Sequence, residues 1–347
     1  MAHTMKAAVM KGIGKIDIEE MAVPIPASDQ VLVRIKSVGV CGSDVHYFVE
    51  GRIGDYVVEP PFILGHECSG EVVEVGEDVT SLQPGDRVTM EPGIPCGRCQ
   101  SCLSGRYNLC PDVVFWATPP VNGVFCEYVV HPACFTFPLS DKVSYEEGAL
   151  VEPLAVGMYS AKRACAEPGQ SAVVLGSGPI GLVTLQALRA CGVMRVVAVD
   201  LVELRLEKAR ELGASLVLNG KKDDVIKMIM DYTAGRGADM VFETAGSVIT
   251  TQLTAGLAAR GGKIILVGLP SQDRFEYDMI QVTARELDIL GIFRYANVYQ
   301  SCVDLVNNKA VDLKSLITHR YPLEKTQEAL EFAHQHKHES IKVVVNL

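Results

Sequence analysis

A surplus of basic residues, a long apolar run and a secretory leader are all missing from this sequence. Its 42 acidic residues outnumber the 32 basic ones and give a formal net charge of −10 at pH 7, which argues against nucleic-acid binding through phosphate neutralisation. No stretch supplies the roughly 18 consecutive apolar residues of a membrane span, and the first residues lack the order of a signal peptide. We therefore expect a cytoplasmic protein without nucleic-acid or membrane partners.

Internal repeats and low-complexity linkers are also missing, and the chain's 347 residues predict two domains at about 150 residues each. Residues 5–154 contain short β-branched runs separated by glycine and proline, which predicts a barrel-like antiparallel β domain. Residues 155–288 alternate buried strands with amphipathic helices, the pattern of a doubly wound parallel sheet. We expect residues 289–347 to return to the first domain with a terminal strand near Ile341, and the fold class to be α/β.

The chain has 11 cysteines, which in a reducing compartment predict metal ligands or small core residues rather than disulfides. Four of them follow the spacing C-x₂-C-x₂-C-x₇-C, within a lobe of about residues 91–112. Four thiolates close the tetrahedral shell of a structural zinc. An iron–sulfur cluster is the competing interpretation, although its usual last spacing is about three residues, and thiols without metal are a further one. These four residues are Cys96, Cys99, Cys102 and Cys110.

A second candidate metal site combines Cys41 with the sequence Gly65-His66-Glu67. A thiol, an imidazole and a carboxylate are three zinc ligands that leave a fourth position open, as catalytic zinc sites do. Taken alone, Cys41 is more often a small buried hydrophobe, and His66 a core or surface histidine. The apolar run at residues 62–64, followed by a glycine that permits a tight turn, favours the metal site.

A glycine-rich turn, Gly176-Ser-Gly178-Pro-Ile-Gly181, lies between a predicted strand and a predicted helix. This context is typical of dinucleotide binding, because the helix N-terminus offers N–H groups to a pyrophosphate. Asp200, after the next predicted strand, is positioned for a ribose 2′-hydroxyl and favours NAD over NADP. Arg205 is expected to flank the adenine or solvent, or alternatively to neutralise a phosphate. A glycine-rich turn without a ligand is the plain alternative.

An open zinc and a dinucleotide turn in one chain together indicate a reaction class. The metal is a Lewis acid for an alcohol oxygen, and NAD accepts hydride from the carbon that carries it. We therefore expect reversible oxidation of a secondary or primary alcohol.

The chain resembles the zinc-containing medium-chain dehydrogenases over essentially its whole length. Gly65-His66-Glu67-x₂-Gly70-x₅-Gly76 is similar to the zinc signature of that family, and the four-cysteine lobe and glycine-rich turn follow in its order. Three further segments resemble its polyol branch, the sorbitol (L-iditol 2-) and xylitol dehydrogenases: Cys41-Gly-Ser-Asp-Val-His-Tyr47, Val151-Glu-Pro-Leu154 and Phe293-Arg-Tyr295. The resemblance implies a GroES-like catalytic domain joined to a Rossmann domain.

The same resemblance implies roles for individual residues. The catalytic zinc would be held by Cys41, His66 and Glu67, with Glu152 bound directly or through water where many alcohol dehydrogenases have cysteine. Ser43 and His46 would relay the alcohol proton. The substrate pocket would be lined by Tyr47, Phe115, Thr118, Arg294 and Tyr295. The cofactor would be bound by Gly176, Gly178, Pro179, Ile180, Gly181, Asp200, Arg205, Val267, Gly268 and Phe293.

Plainer interpretations remain for some of these side chains. Phe115 is also compatible with a core residue, Arg294 with a surface ion pair and Glu152 with a solvated acid beside a proline. At the level of function we expect an NAD-dependent polyol dehydrogenase with two zinc ions per chain, a small-molecule polyol substrate and a dimeric or tetrameric assembly. The alternatives are a butanediol or threonine dehydrogenase, and a non-catalytic, zinc-stabilised nucleotide-binding protein.

Overall fold

The computed structural model describes residues 4–270, 272 and 274–347. The chain divides into two compact units, one of which contains residues up to Glu152 together with Tyr299–Leu347. The other unit spans Pro153–Val298. The predicted α/β class with a doubly wound sheet is confirmed by the strand orders given below. Within the described residues, no helix has the length and apolar character needed to cross a bilayer.

The first unit is built around β3, whose apolar residues Val31, Val33 and Ile35 are fully buried. This strand pairs antiparallel with β7, and β11 also pairs with it. The strands of this unit before Glu152 are β1 (Thr4–Gly12), β2 (Lys15–Ala22), β3 (Gln30–Gly39), β4 (Arg52–Ile53), β5 (Tyr56–Val57), β6 (Phe62–Ile63), β7 (Glu67–Val75), β8 (Arg87–Met90), β9 (Gly93–Ile94), β10 (Val114–Phe115), β11 (Tyr128–Pro132) and β12 (Thr136–Pro138).

Short helices interrupt these strands where the candidate site residues lie. They are α1 (Gly42–Glu50), α2 (Gln100–Leu103) and α3 (Tyr145–Ala149), with 3₁₀ turns at Tyr107–Leu109 and Ala133–Phe135. Helix α1 begins directly after Cys41 and ends at Gly51, whose φ of 73° is the left-handed conformation that commonly closes a helix. Cys41 therefore lies immediately before a short helix with defined ends.

The second unit contains a parallel sheet in the order β15-β14-β13-β16-β17-β18. Two βαβαβ halves meet between β13 and β16, the arrangement of dinucleotide-binding sheets. The central β13 is buried along its whole length, as a parallel strand covered on both faces should be. Its strands are β13 (Ser171–Leu175), β14 (Arg195–Asp200), β15 (Leu216–Asn219), β16 (Ala238–Glu243), β17 (Ala258–Leu266) and β18 (Asp288–Gly291).

Helices alternate with these strands. They are α4 (Val151–Arg163), α5 (Pro179–Ala190), α6 (Glu203–Glu211), α7 (Val225–Tyr232), α8 (Val248–Leu257) and α9 (Met279–Arg285). Strand β18 pairs with β17, with Ile289 opposite Ile264. For this reason the second unit continues to Val298, beyond the boundary at residue 288 that the sequence suggested.

The last part of the chain returns to the first unit. It contains α10 (Tyr299–Asn307), β19 (Ile317–Pro322), α11 (Thr326–Gln335) and β20 (Lys342–Asn346), with 3₁₀ turns at Lys314–Leu316 and Leu323–Lys325. Strand β20 lies between β19 and β3 and pairs Val344 with Gly39. The sheet order is therefore β12-β8-β7-β3-β20-β19. A C-terminal strand thus lies beside the N-terminal segment that leads to Cys41.

Two candidate metal centres and a dinucleotide turn

The first candidate centre brings together Cys41, His66 and Glu67, whose ligand atoms all lie within 4.8 Å of one another. Cys41 precedes α1, Glu67 is the first residue of β7, and His66 immediately precedes that strand. Gly65 makes the turn into this strand with a φ of 90°, and an added Cβ there would lie 3.0 Å from the Phe125 ring. Only glycine fits this position, which explains how the turn aims the next two side chains at the cysteine.

Asp44 joins the segments of this centre, and the sequence interpretation missed it. Its carboxylate is fully buried and accepts hydrogen bonds from the backbone N–H of Cys41 at 3.0 Å and of Gly65 at 2.9 Å. The same carboxylate lies 3.5 Å from His66 Nδ1. A carboxylate on one ring nitrogen of a histidine orients the other nitrogen toward a metal. The signal in the sequence was an acid in the first turn of the helix that follows Cys41.

The electrostatics of this centre favour a cation. Burial opposes the charged form of His66, but Asp44 and Cys41 outweigh burial and raise the pKa of His66 well above its ordinary value. A negative potential that stabilises a proton on this imidazole also stabilises a divalent cation, which binds as protons leave its ligands.

Lys342, which the sequence interpretation also missed, pairs with Glu67. Its Nζ donates to Oε1 of Glu67 at 2.7 Å and to the Val40 carbonyl at 2.9 Å. The Nζ also lies 2.5 Å from Oε2 as an ion pair, so both oxygens of the buried carboxylate face the ammonium group. A buried carboxylate beside a thiol and an imidazole fits a zinc ligand set with one position left for substrate.

Glu152 is buried in the first turn of α4 but is not part of the three-ligand cluster. Its negative charge contributes to raising the pKa of Lys342, which burial by itself would lower. The same charge acts on Glu91, whose pKa rises to about 7, mainly because the carboxyl is buried and although the Tyr107 hydroxyl donates to it at 2.8 Å. Glu152 therefore lies within electrostatic reach of both residues.

The remaining predicted residues of the first unit lie on α1 and β10 or follow β10. Ser43 is half-buried and His46 is exposed, with its Nε2 3.1 Å from Glu50. Tyr47 is buried on the same helix. The Phe115 ring is buried, with its centroid 5.8 Å from that of His66. Thr118 forms an isolated antiparallel β-bridge with Val121.

Arg294 and Tyr295 belong to the second unit, just beyond β18. The Arg294 guanidinium lies 4.8 Å from the centroid of the Phe293 ring, and its backbone has a φ of 53°, a left-handed conformation that is uncommon for a bulky residue. Tyr295 is buried, whereas Phe293 is exposed. The pair at 294–295 thus lies in a tight, irregular segment.

The second candidate centre is the four-cysteine lobe, whose sulfur atoms also lie within 4.8 Å of one another. The Cys99 and Cys102 sulfurs are 3.4 Å apart, and those of Cys96 and Cys102 are 4.0 Å apart. Zinc–sulfur bonds of about 2.3 Å in a tetrahedron require sulfur separations of roughly 3.8 Å. All four thiols are free of disulfide bonds. These separations fit a closed zinc site.

The acidities of these thiols differ within the lobe. Backbone hydrogen bonds, first from Arg98 and then from Cys99, lower the pKa of Cys96 to about 7. Burial and the neighbouring thiols raise the pKa of Cys102 to about 12. Several thiolates this close repel one another, so a cation is needed before all four can lose their protons.

The glycine-rich turn connects β13 to α5. Gly176 has a φ of 95°, and an added Cβ would lie 2.8 Å from the Ala245 backbone. Gly181 packs against the Gly176 carbonyl. Above Gly178, by contrast, the nearest atom to an added Cβ is an Arg205 nitrogen at 3.9 Å. Pro179 and Ile180 open α5, so the turn leaves space for an anion at the helix N-terminus.

Asp200, at the end of β14, is bound to the same turn. One carboxylate oxygen accepts from the Ser177 N–H at 2.7 Å, and the other accepts from Leu201 and Val202. Arg205 Nη1 lies 3.9 Å from this carboxylate. After β17, the N–H groups of Val267 and Gly268 both donate to the Glu243 carbonyl at 2.9 Å. The predicted cofactor residues of this sheet therefore gather at the carboxyl ends of β13, β14 and β17.

Two family models match the chain. The "Alcohol dehydrogenase GroES-like domain" matches residues 27–141, and "Zinc-binding dehydrogenase" matches residues 179–308. The predicted GroES-like and Rossmann architecture is thereby confirmed, as are zinc and NAD as the cofactors of such a dehydrogenase.

Individual relatives agree with these models. Sorbitol dehydrogenase of Bacillus subtilis is 46% identical over 99% of both chains, and that of Bos taurus is 44% identical over 93% of this chain and 91% of its own. The crystal structure of an Escherichia coli oxidoreductase of unknown specificity superposes with a TM-score of 0.95 at 42% identity, over 99% of both chains. The chain therefore belongs to the zinc-containing medium-chain alcohol dehydrogenases, in the branch that includes the sorbitol dehydrogenases.

Proposed function

We propose that this enzyme oxidises a secondary hydroxyl of a sugar alcohol such as sorbitol, xylitol or L-iditol to the ketose, with NAD as the hydride acceptor. The observation that carries the proposal is the cluster of a half-buried Cys41 with buried His66 and Glu67, with a further buried acid at Glu152. A ligand set with carboxylates in place of a second thiolate is harder and more polar. Such a set suits a substrate that carries several hydroxyl groups.

In the proposed reaction, the side chains of the protein bind zinc and NAD and transfer the alcohol proton to solvent. When bound, zinc acts as a Lewis acid on the substrate oxygen and NAD accepts the hydride. We assign Cys41, His66 and Glu67 as the metal ligands and Glu152 as a carboxylate bound directly or through water. The closed lobe, with its four cysteines, takes the second zinc as a structural ion.

We assign the release of the alcohol proton to Ser43 and His46. The two residues lie three positions apart on α1, so their side chains share one face of the helix. Ser43 is half-buried, and His46 is exposed beside Glu50. A hydroxyl followed by an exposed imidazole can pass a proton from an interior position to solvent near neutral pH.

Substrate recognition is assigned to Tyr47, Phe115, Thr118, Arg294 and Tyr295. The buried Phe115 ring beside His66 supplies an apolar wall that keeps water from the metal ligands. The guanidinium of Arg294 and the hydroxyl of Tyr295 are donors suited to substrate hydroxyls.

The cofactor is assigned to the glycine-rich turn, with Asp200 as the residue that favours NAD over NADP. Its charge repels a 2′-phosphate, and its three backbone hydrogen bonds fix it at the strand end. Arg205 lies within 3.9 Å of this carboxylate, which supports a role beside the adenosine rather than as a phosphate partner. Val267, Gly268 and Phe293 complete the assigned residues.

We further propose a homodimer or tetramer in the cytoplasm, where a reducing environment keeps the zinc-binding thiols available. Strand β18 is at the edge of its sheet and carries the exposed Ile289, and Leu269 and Ile280 of the same unit are 77% and 81% exposed. Apolar side chains around an edge strand are a common basis for association. Light scattering after size-exclusion chromatography tests the assembly, and a monomer at micromolar concentration contradicts it.

The decisive experiment is a substrate screen that follows NADH absorbance. We expect turnover of sorbitol or xylitol, and a shift of preference toward less polar alcohols in Glu152→Cys. Turnover of butanediol or threonine without any polyol would assign the other dehydrogenase type. If no alcohol is oxidised and only one zinc ion per chain is bound, the protein is a nucleotide-binding protein stabilised by its lobe.

A further inference from the structure

Lys342 is a buried charged side chain whose position the reaction assigned above does not explain. Lysine is among the residues that are least often fully buried, yet this one is 3% exposed. Its described hydrogen bonds go to the carbonyl of Val40 and to Oε1 of Glu67. Both partners lie next to or within the segments that carry the proposed metal ligands.

The fold fixes this lysine in place from the far end of the chain. Strand β20 pairs with β3, so that Val344 is opposite Gly39. An added Cβ at Gly39 would lie 2.1 Å from Oε2 of Glu67 and 3.1 Å from the Lys342 side chain. A glycine is therefore required at residue 39 for the lysine and the glutamate to meet, 275 positions apart in sequence.

Both oxygens of Glu67 face the ammonium group of Lys342. The Nζ donates to Oε1 at 2.7 Å and lies 2.5 Å from Oε2 as an ion pair. The charge of Lys342 is therefore placed against a carboxylate that is itself clustered with Cys41 and His66.

We propose that Lys342 is a positioning residue that holds the Glu67 carboxylate in place and keeps a fixed positive charge beside the metal. The inference rests on the proposed role of Glu67 as a zinc ligand. The thiolate of Cys41 and the carboxylate of Glu67 together cancel the two charges of zinc, and Lys342 offsets the further negative charge of Glu152. Zinc is then held less tightly than the ligands alone would hold it, and an anionic substrate oxygen is favoured.

This arrangement has a signature that a structural lysine lacks. Removing a structural residue loosens the site, so metal affinity and turnover fall together. Removing a positive charge within a few ångströms of a dication in a buried site instead strengthens metal binding, by at least about tenfold at the effective dielectric of such sites. Turnover falls at the same time, because the favourable charge for the substrate oxygen is gone.

The test compares the dissociation of metal from the open centre in Lys342→Met and Lys342→Arg holoenzymes. Cobalt exchanged into that centre reports its coordination by visible absorption, and competition with a chelator gives its affinity. We expect Lys342→Met to hold the metal at least about tenfold more tightly, with a changed cobalt spectrum and slower turnover. The arginine variant keeps the charge and should resemble the wild type. Faster metal loss from Lys342→Met, or an unchanged spectrum and affinity, overturns the proposal.

A second pair of variants covers the case in which Lys342→Met fails to fold because Glu67 is left as an unpaired buried charge. Glu67→Gln replaces this carboxylate by a neutral amide whose oxygen can still accept from Lys342, and the double variant Glu67→Gln with Lys342→Met removes both charges. The double variant should bind metal more tightly than Glu67→Gln, and equal affinities overturn the role of the fixed charge. If Glu67→Gln binds metal like the wild type, the proposed ligand role of Glu67 fails instead.

Discussion

The two candidate metal centres of the first unit are built in different ways. The four-thiol lobe takes all its ligands from one loop between Cys96 and Cys110, positions that are 14 apart. The open centre needs Cys41 before a helix, His66 and Glu67 at the start of a strand, and Lys342 near the end of the chain. A closed site can therefore order a local segment, whereas an open site depends on the whole β domain to hold its ligands.

The two metal centres also differ in the chemistry of their ligands. The lobe offers four identical soft ligands and no further charged partner among its described contacts, which suits a permanently bound ion. The open centre surrounds three unlike ligands with Asp44 and Lys342, charges of opposite sign that orient His66 and Glu67. Metal removal should consequently affect activity through one centre and stability through the other.

The largest effect is expected for His66→Ala, which removes a ligand of the open centre. Loss of several kcal/mol of Lewis-acid stabilisation should lower kcat/KM by more than about 10³-fold. Steady-state NADH production measures the loss. His338→Ala, which changes an exposed histidine, is the matched control and should retain full activity. A His66→Ala enzyme with more than a tenth of wild-type activity would contradict the assignment of the open centre.

The next largest effect is expected for Cys102→Ser in the lobe. A structural zinc contributes folding free energy, so we expect one zinc ion fewer per chain and a loss of several kcal/mol in the free energy of unfolding. Urea unfolding and metal analysis measure both. Cys134→Ser, at an exposed cysteine outside the lobe, should change neither. Equal stability of the two variants would show that the lobe is not a structural metal site.

Gradual removal of zinc by a chelator tests both centres in the unmodified enzyme. The open centre has a free position that a chelator can enter, whereas the closed lobe has none. Activity should therefore be lost with the first equivalent of zinc and the folded structure with the second. Simultaneous loss of activity and circular dichroism at one equivalent would mean that the two roles are not separate.

The same contrast explains what the sequence could predict. The metal site of the lobe could be predicted from cysteine spacing because its ligands are close in sequence. The dinucleotide turn at Gly176–Gly181 could be predicted because its strand and helix flank it directly. Asp44 was within reach of local reasoning, as an acid three positions after Cys41. Lys342 was not, since its partner is 275 positions away and only the pairing of β20 with β3 brings them together. The end of the second unit at Val298 was not predicted either, because it depends on the pairing of β18 with β17.

Glu91 interacts with residues of both regions, since it accepts a hydrogen bond from Tyr107 of the lobe and its pKa is raised in part by the charge of Glu152. Burial raises its pKa from 4.5 to about 7. The folded protein thus binds this proton more tightly than the unfolded chain does, so the proton stabilises the fold. This contribution to the free energy of unfolding is fully present below pH 4.5 and is lost as the pH rises through about 7. At about 1.4 kcal/mol per pKa unit, the loss is on the order of 3 kcal/mol.

Glu91→Gln removes this titration while leaving an acceptor for Tyr107. Its free energy of unfolding relative to wild type should therefore increase by up to about 3 kcal/mol between pH 5 and pH 8. Urea unfolding at the two pH values measures the difference. The exposed Glu77→Gln should show no such trend, and a pH-independent difference for Glu91→Gln would contradict a titration of the buried carboxyl between pH 5 and pH 8.

The smallest of these effects is expected for Asp44→Asn, which keeps the shape of the side chain but removes its charge. The backbone N–H groups of Cys41 and Gly65 bind different oxygens of Asp44, so the amide keeps an acceptor for only one of them, and it no longer attracts a positive charge at His66. Loss of a carboxylate that orients a metal-binding histidine typically costs about 10- to 100-fold in metal affinity or activity. Chelator competition should show this loss at the open centre and none at the lobe, with exposed Asp141→Asn as the control. Equal weakening of both centres would mean that Asp44 acts through the stability of the whole unit, because only an orienting contact to His66 confines the effect to one metal.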